Sequence, residues 1–415
     1  MLLGFNDSRP PESSDVVVVG LGPVGATAAL TLALRGLQVT VFEAGLAGEG
    51  VLGESRASTF HPPTLEILAE LGVSEALHEV GLVADTYQYR DRAEGLIAHF
   101  DLADIAQDTP FPYRLQSEQQ NLVCIIRDRL AELPNVRLYE NAHVRSAETE
   151  GDEAVVRVAG SADPDAPVIE HRARWVIAAD GAHSPIRHAL GIDFPGITYP
   201  EQFLVVSTNV DFAELIPGIA SVNYISDPRE WLVLLRTPLH WRALFPISSG
   251  EQDAAEALDP EEIQRRLQAI APHPEGYDIV HSRIYRVHQR VAERFRVGRV
   301  LLAGDAAHLN NPLGGMGMNS GIHDAAMAAE AILAAEAGDT ALLDAYEKTR
   351  KSVAHDYVRV VTHENRDMLR EEDPAERRRQ NDHMRRTAAD PELARAHLLR
   401  SSMLASRVSR DTQPA

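Results

Sequence analysis

The chain has 415 residues, 44% of them apolar, with 61 acidic against 40 basic residues and a formal net charge of −21. That size and composition predict a globular protein with room for two domains and an appendage, and exclude a disordered chain. The charge excludes a nucleic-acid binder, whose phosphate contacts need a basic face, and no run approaches the ~18 apolar residues of a membrane span.

In chain order, the first segment is polar, carries Pro10 and Pro11, and has no basic stretch leading into an apolar one, so a cytoplasmic protein is expected. Val16-Val17-Val18-Val19 then reads as a buried strand. Gly20-x-Gly22-x-x-Gly25, with Pro23 and Val24 between the last two glycines, opens an alanine- and leucine-rich helix that runs to Arg35 and stops at Gly36. A second strand, Val39 to Glu43, places Glu43 23 residues beyond Gly20, next to Ala44. In that setting the first glycine makes the turn, the second admits a pyrophosphate to the backbone, and the third lets helix and strand pack closely. Free N–H groups at the helix N-terminus favour the phosphates, and the acid accepts from ribose hydroxyls. A dinucleotide site is expected, and the motif does not separate FAD from NAD.

Gly53-Glu54-Ser55-Arg56-Ala57 follows, then a short helix from Pro63 to Leu71 and another over Glu118–Leu130. The single cysteine, Cys124, lies in the apolar run Leu122 to Ile126 and is expected to be a buried structural thiol. Residues 143–172 alternate polar and apolar in the manner of a small antiparallel meander. Trp175 to Ala179 is a buried strand running into Asp180-Gly181. Residues 197–285 are strand-rich, hold Trp231 and Trp241, and predict a separate sheet. Val300 to Ala303 enters Gly304-Asp305, the loop Asn310-Asn311-Pro312-Leu313-Gly314-Gly315-Met316-Gly317-Met318-Asn319, and a long helix ending near Gly338. Three glycines in four positions let this loop lie against a flat ring. Its N–H groups and the following helix N-terminus suit negative charge on that ring. Beyond 350 the chain is helical and charged, with Asp373-Pro374 and Asp390-Pro391 as N-caps followed by first-turn prolines. His308 and His323 stand too far apart for a short metal motif, and no metal is expected.

Gly53 to Ala57, Ala178-Ala179-Asp180-Gly181-Ala182-His183-Ser184-x-x-Arg187, and Gly304-Asp305-Ala306-Ala307-His308, in that order behind the dinucleotide motif, resemble the single-component flavoprotein aromatic hydroxylases. This is the group of p-hydroxybenzoate hydroxylase and the phenol hydroxylases, and the resemblance covers roughly residues 15–345. It implies an α/β fold with α+β elements: a Rossmann-like FAD-binding domain with a β-sheet substrate domain and C-terminal helices. The expected division is 1–80, 110–190 and 286–345 for the FAD domain, 81–109 and 191–285 for the substrate sheet, and 346–415 for the helical segment. It implies non-covalent FAD, NADPH or NADH as co-substrate, O2, and hydroxylation of a small aromatic or heteroaromatic ring.

Carried over by residue, the resemblance puts Glu43 on the adenosine ribose, Arg56 along the FAD, Gln116 beside the flavin, and Asp180 on FAD. The segment through Arg187 would receive the nicotinamide cofactor, and Asp305 would bond the ribityl chain. The loop with Gly315, Gly317, Met318 and Asn319 would run past the flavin, with the Pro312 carbonyl near the reactive flavin–oxygen adduct. On the substrate side Tyr199 matches a tyrosine that bonds a substrate phenol. Arg236 matches an arginine that pairs with a substrate carboxylate, against the alternative of a solvent-facing strand arginine. Arg242 matches a contact to the flavin or the domain interface. Leu234 and Leu244 stand where p-hydroxybenzoate hydroxylase has polar contacts, so a less polar pocket is expected.

Competing readings are a flavin-dependent halogenase or isoprenoid reductase, and a non-catalytic flavin-binding protein. The halogenase Trp-x-Trp-x-Ile-Pro signature is absent, and the intact glycine loop after Pro312 argues against mere binding. In residues 391–407, Leu398, Leu399, Met403 and Leu404 form an apolar stripe on a basic helix. The stripe must cover the chain's own core or a second copy in a homodimer.

Overall fold

The computed structural model describes residues 2–4, 13–45, 57–248 and 251–407. A first sheet grows outward from the valine strand. Ser13–Val19 pairs in parallel with Val39–Phe42 on one side and Val168–Ala178 on the other. Val16, Val17 and Val18 are wholly buried, as a parallel sheet covered on both faces requires. Val136–Glu140 and Leu2–Gly4 continue the sheet past Val39–Phe42, also in parallel.

The strand Val168–Ala178 divides its other edge. Residues 168–173 pair with Glu153–Ala159, which pairs with His143–Glu150 to make the expected antiparallel meander. Residues 176–178 pair in parallel with Val300–Leu302. Three parallel strands therefore end side by side, at Val19, Ala178 and Leu302, and the turns at Gly20, Asp180 and Gly304 share one edge of the sheet. Helix Pro23–Leu34 packs between Gln119–Glu132 and Met316–Glu336 beside this sheet.

Cys124 departs from expectation: it is exposed. Its apolar run is helical, so the 3.6-residue period turns Leu122, Ile126 and Leu130 inward and leaves Cys124 on the outer face.

The second sheet has eight strands, in the order His308–Leu309, Ile279–Val291, Gly196–Thr208, Trp241–Ser248, Leu232–Arg236, Val222–Ser226, Thr86–Asp91 and Gly95–Asp101. One face carries Val205, Tyr224, Val233 and Leu244. The alternate residues Leu204, Val206, Leu232, Leu234 and Phe245 pack on the other face against Ala257, Ile263 and Leu267, from helices Glu251–Ala257 and Pro260–Ile270. A three-stranded sheet of Thr59–Phe60, Arg114–Gln116 and Leu82–Ala84 shares no strand pairing with either large sheet.

Helices Ala341–Ser352, Arg359–Arg370, Pro374–Ala389 and Pro391–Ser401 follow the long helix. Asp373 and Asp390 each accept two first-turn N–H groups, as the Asp-Pro pairs predict. The apolar stripe covers the chain's own core. Leu398 and Leu404 are buried with Tyr87, Phe100 and Tyr224, Leu399 packs partly against the same group, and Met403 is buried with Met316, Val353 and Val361. A homodimer therefore loses the apolar surface that suggested it. No described helix is long and apolar enough to cross a membrane.

Candidate active site

The glycine turn has the shape its three glycines predict. Gly20 sits at φ +93°, and a Cβ there would come within 2.4 Å of the Ala179 carbonyl oxygen. A Cβ on Gly25 would stand 1.9 Å from the Gly20 carbonyl oxygen, so helix and turn touch. Gly22 faces open space, with nothing within 4 Å of its missing side chain. It also caps the helix in extended conformation, with Pro23 at the first helical position. Val24 points inward and fills the room that side chains at Gly304 and Gly321 would take. Glu43 braces the turn, accepting from Leu21 N–H at 2.5 Å and Gly45 N–H at 2.7 Å, with Ala44 exposed between them in the chain.

At the neighbouring strand end, Asp180 accepts from Ile186 N–H at 3.3 Å, and its Oδ1 is buried without a partner. Burial raises its carboxyl above the usual range, against the pull of Ser184, the Ile186 N–H and Arg187. At the third strand end, Asp305 is exposed and lines a cavity of about 570 Å³.

That cavity runs from the strand ends onto the second sheet. Ser58, Thr59, Ala182, His183, Asp305 and the loop residues Asn310, Pro312, Gly315, Gly317 and Met318 line one part; Val205, Tyr224, Val233, Leu235, Leu244 and Tyr285 line the other. The loop is rigidly built. Gly314 and Gly315 sit at φ +101° and +66°, which only glycine adopts freely, and the Pro312 carbonyl accepts from Gly315 N–H at 2.9 Å. Asn319 is wholly buried: it accepts from His61 N–H at 2.9 Å and donates to the Thr59 and Gly315 carbonyls. Its role is to pin the loop, not to face the cavity. His61 donates from Nε2 to the Gly314 carbonyl at 2.8 Å, and burial and then the nearby Arg114 lower its pKa to about 3.

Gln116 is buried, accepts from Thr59 Oγ1 at 3.0 Å, and leaves its Nε2 without a partner. Arg242 lines the cavity and joins the second sheet to the strand-end region, through Glu118 at 2.6 Å and Ser58 at 3.2 Å. Arg187 turns inward: it donates to the Ala306 and Ala182 carbonyls and lies over the Phe194 ring at 3.9 Å, bracing the Asp305 turn. Ala182 and His183 are the members of its segment that reach the cavity. Arg56 lies outside the described residues.

Two expected substrate contacts are corrected. Arg236 pairs with Asp211 at 2.5 Å and lies over Trp241, on the face of the sheet away from the cavity. Strand alternation explains this, because Val233 and Leu235 take the cavity side. The same parity places Leu234 in the opposite core. Tyr199 is buried and does not line the cavity. It falls in a register shift between Thr198 and Gln202, and it sits between the Asn311 side chain and the Arg366 guanidinium.

Two other groups went unnoticed in the sequence. Asp324 is wholly buried and accepts from Gly304 N–H at 3.0 Å, His308 Nε2 at 2.8 Å and Arg350 Nε at 2.5 Å. Burial acts to raise its carboxyl, but Arg350 and His308 outweigh it and hold the pKa at about 2. It fixes the turn that presents Asp305. Arg114, also buried, lines the cavity. No local motif marks either residue, since their partners lie far along the chain.

The FAD binding domain family matches residues 13–361. The chain is 36% identical over 389 residues to para-nitrophenol 4-monooxygenase of Pseudomonas sp. (strain WBC-3), covering 92% of this chain and 94% of that protein. It is 34% identical over 316 residues to 6-hydroxy-3-succinoylpyridine 3-monooxygenase HspB of Pseudomonas putida (strain DSM 28022 / S16), covering 75% and 77% of the two chains. Among solved structures, p-nitrophenol 4-monooxygenase PnpA from Pseudomonas putida DLL-E4 superposes with a TM-score of 0.85 at 33% identity, over 94% of this chain and 98% of that one.

Proposed function

Since the chain belongs to the FAD binding domain family, among its single-component aromatic hydroxylases, we propose that it hydroxylates a small phenol-type ring, with reduced nicotinamide and O2 as co-substrates. The observation that carries this reading is one continuous cavity joining the turns after Ala178 and Leu302 and a glycine loop to an apolar sheet face. Relatives named for p-nitrophenol support a para-substituted phenol.

The residues present fit FAD. Gly22 leaves open room at a helix N-terminus, Glu43 stands at the second strand end, and Asp180 and Gln116 keep buried polar atoms without partners. In this proposal Gly20, Gly22, Pro23 and Gly25 cradle the pyrophosphate, and Glu43 accepts from the adenosine ribose. Asp180 and Asp305 accept from the rest of the dinucleotide. Gly315, Gly317 and Met318 lie along the ring, and Arg242 holds the substrate sheet against it. When bound, FAD supplies the redox chemistry that spends nicotinamide and dioxygen on the ring.

The protein's own part is to bind, orient and exclude water. Val205, Val233, Leu235 and Leu244 give the substrate an apolar wall. The rigid loop keeps the ring-facing backbone fixed without reorganisation. The test is a panel of phenols, aromatic acids and N-heteroaromatics added to the FAD-loaded protein with NADH or NADPH. The expected result is stimulated nicotinamide oxidation and a product heavier by one oxygen. Oxidation that no aromatic stimulates, or products without added oxygen, would refute the reading.

A further inference from the structure

Resting on the hydroxylase reading, we infer that Arg114 is the substrate-specificity residue, a receptor for an anionic oxygen carried on the aromatic ring, phenolate or carboxylate.

Arg114 is 2% exposed and lines the cavity where the three-stranded sheet meets the second sheet. A buried guanidinium carries a heavy desolvation cost unless it is paired, and no described carboxylate lies within 4 Å of this one. What it has is weaker. Its guanidinium carbon lies 4.2 Å from the centroid of the Tyr87 ring, a cation–π contact. Its other contacts are at the long limit for hydrogen bonds: Tyr224 Oη at 3.5 Å and the Ser401 carbonyl at 3.5 Å. Nε has no partner at all. Arginine carries five N–H donors in a planar fork matched to two-oxygen acceptors, and here most of that capacity is unmet inside a cavity.

The surroundings leave the charge uncontested. His61 and His397 stand near Arg114, and both are kept neutral, with pKa values lowered to about 3 and about 4, first by burial and next by Arg114 itself. By contrast, Arg242, the other buried cavity-lining arginine, has Glu118 at 2.6 Å. Arg283, Arg286 and His288, none of them buried, also line the cavity, and what remains of the sheet face there is apolar or aromatic. A ring bearing one anionic oxygen would place its apolar body on Val233 and Leu244 and its charge on Arg114.

The experiment compares 4-nitrophenol, 4-hydroxybenzoate and the neutral 4-nitroanisole as ligands of the FAD-loaded protein, at a pH where the phenol is ionised. Binding is followed by equilibrium dialysis. The parent protein is expected to prefer at least one anion over the neutral ring by about tenfold or more, and the phenolate and carboxylate arms tell which. Arg114→Gln should weaken that anion on the order of 10²-fold and leave 4-nitroanisole within about threefold. Arg114→Lys should recover part of the loss. Equal affinity of the parent for neutral and anionic rings would overturn the inference. So would equal weakening of both by Arg114→Gln in protein that still carries FAD, because Arg114 would then only shape the wall. Should Arg114→Gln fail to fold, Arg114→Lys and the parent comparison decide between the same two outcomes. Turnover separates this from the broader reading. If no aromatic stimulates nicotinamide oxidation, the hydroxylase reading fails; if neutral and anionic rings stimulate alike, only the role of Arg114 fails.

Discussion

Gly22 and Gly25 lie three positions apart and answer to different forces. A Cβ at Gly22 meets nothing in the protein, whereas one at Gly25 collides with the Gly20 carbonyl. Gly22→Ala should therefore leave the apoprotein's stability within ~0.5 kcal/mol yet weaken FAD binding at least tenfold. Gly25→Ala should cost about 1–3 kcal/mol or more through overpacking, lowering the apoprotein's melting temperature as well. Calorimetry without FAD and titration with FAD separate the two. Equal effects on both measurements would contradict the assignment of Gly22 to the pyrophosphate. Asp305 makes a companion case. It is exposed and lines the cavity, so Asp305→Ala should reduce FAD affinity by about 1.5–3 kcal/mol, read by titration with FAD.

Elements in this protein are positioned by a few buried polar groups. Asp324, on the long helix, ties the Gly304 turn to Arg350 on a later helix. Asp324→Asn leaves a buried cation without its counter-charge, and should cost about 3–5 kcal/mol and loosen FAD retention through Asp305. A melting temperature unchanged in both apo and FAD-bound forms would refute that role. The C-terminal helices give a second prediction at this scale. Truncation at Asp390 removes Leu398, Met403 and Leu404, all buried in the chain's own core. Light scattering should show the full chain's mass unaffected by dilution, and the truncated chain unstable or aggregated. A dimer that becomes a well-folded monomer on truncation would reverse this.

At the scale of the whole molecule, stability follows three neutral histidines. His61, His323 and His397 have pKa values lowered to about 3, 3 and 4, chiefly by burial. The unfolded chain takes up their protons below its ordinary histidine value of about 6.5, while the folded chain refuses them until near 3 to 4. Their contribution is thus present above pH 6.5 and lost as pH falls, at up to ~4 kcal/mol per pH unit near pH 5. Asp324 adds a loss only lower, between its unfolded value near 4 and its folded value of about 2. Urea unfolding over a pH series checks this, and His397→Phe should remove roughly one proton from the slope. A slope unchanged by that substitution would count against it. What the sequence revealed follows the same division of scale. The glycine turn, the Asp-Pro caps and the order of strands were legible because their determinants are consecutive residues. Arg114 and Asp324 were not, because Ser401 and Arg350 come to them from 287 and 26 residues away. Arg236 and Tyr199 were misplaced for a subtler reason: one strand register, or one bulge, decides which face a side chain takes.

The meeting of Arg114 with Ser401 also sets an order of events during synthesis. Arg114, and Tyr87 against its guanidinium, gain their Ser401 contacts only when Pro391–Ser401 packs beside them. The glycine loop that completes the rest of the lining ends at Met318, and at ribosomal speeds of about 5–20 residues per second the 83 residues from there to Ser401 take roughly 4–17 s to appear. Through that interval Arg114 lacks its Ser401 contact. The glycines of the nucleotide-binding turn, by contrast, precede Arg114 in the chain. Docking of the last helix is therefore the step that completes the surroundings of Arg114.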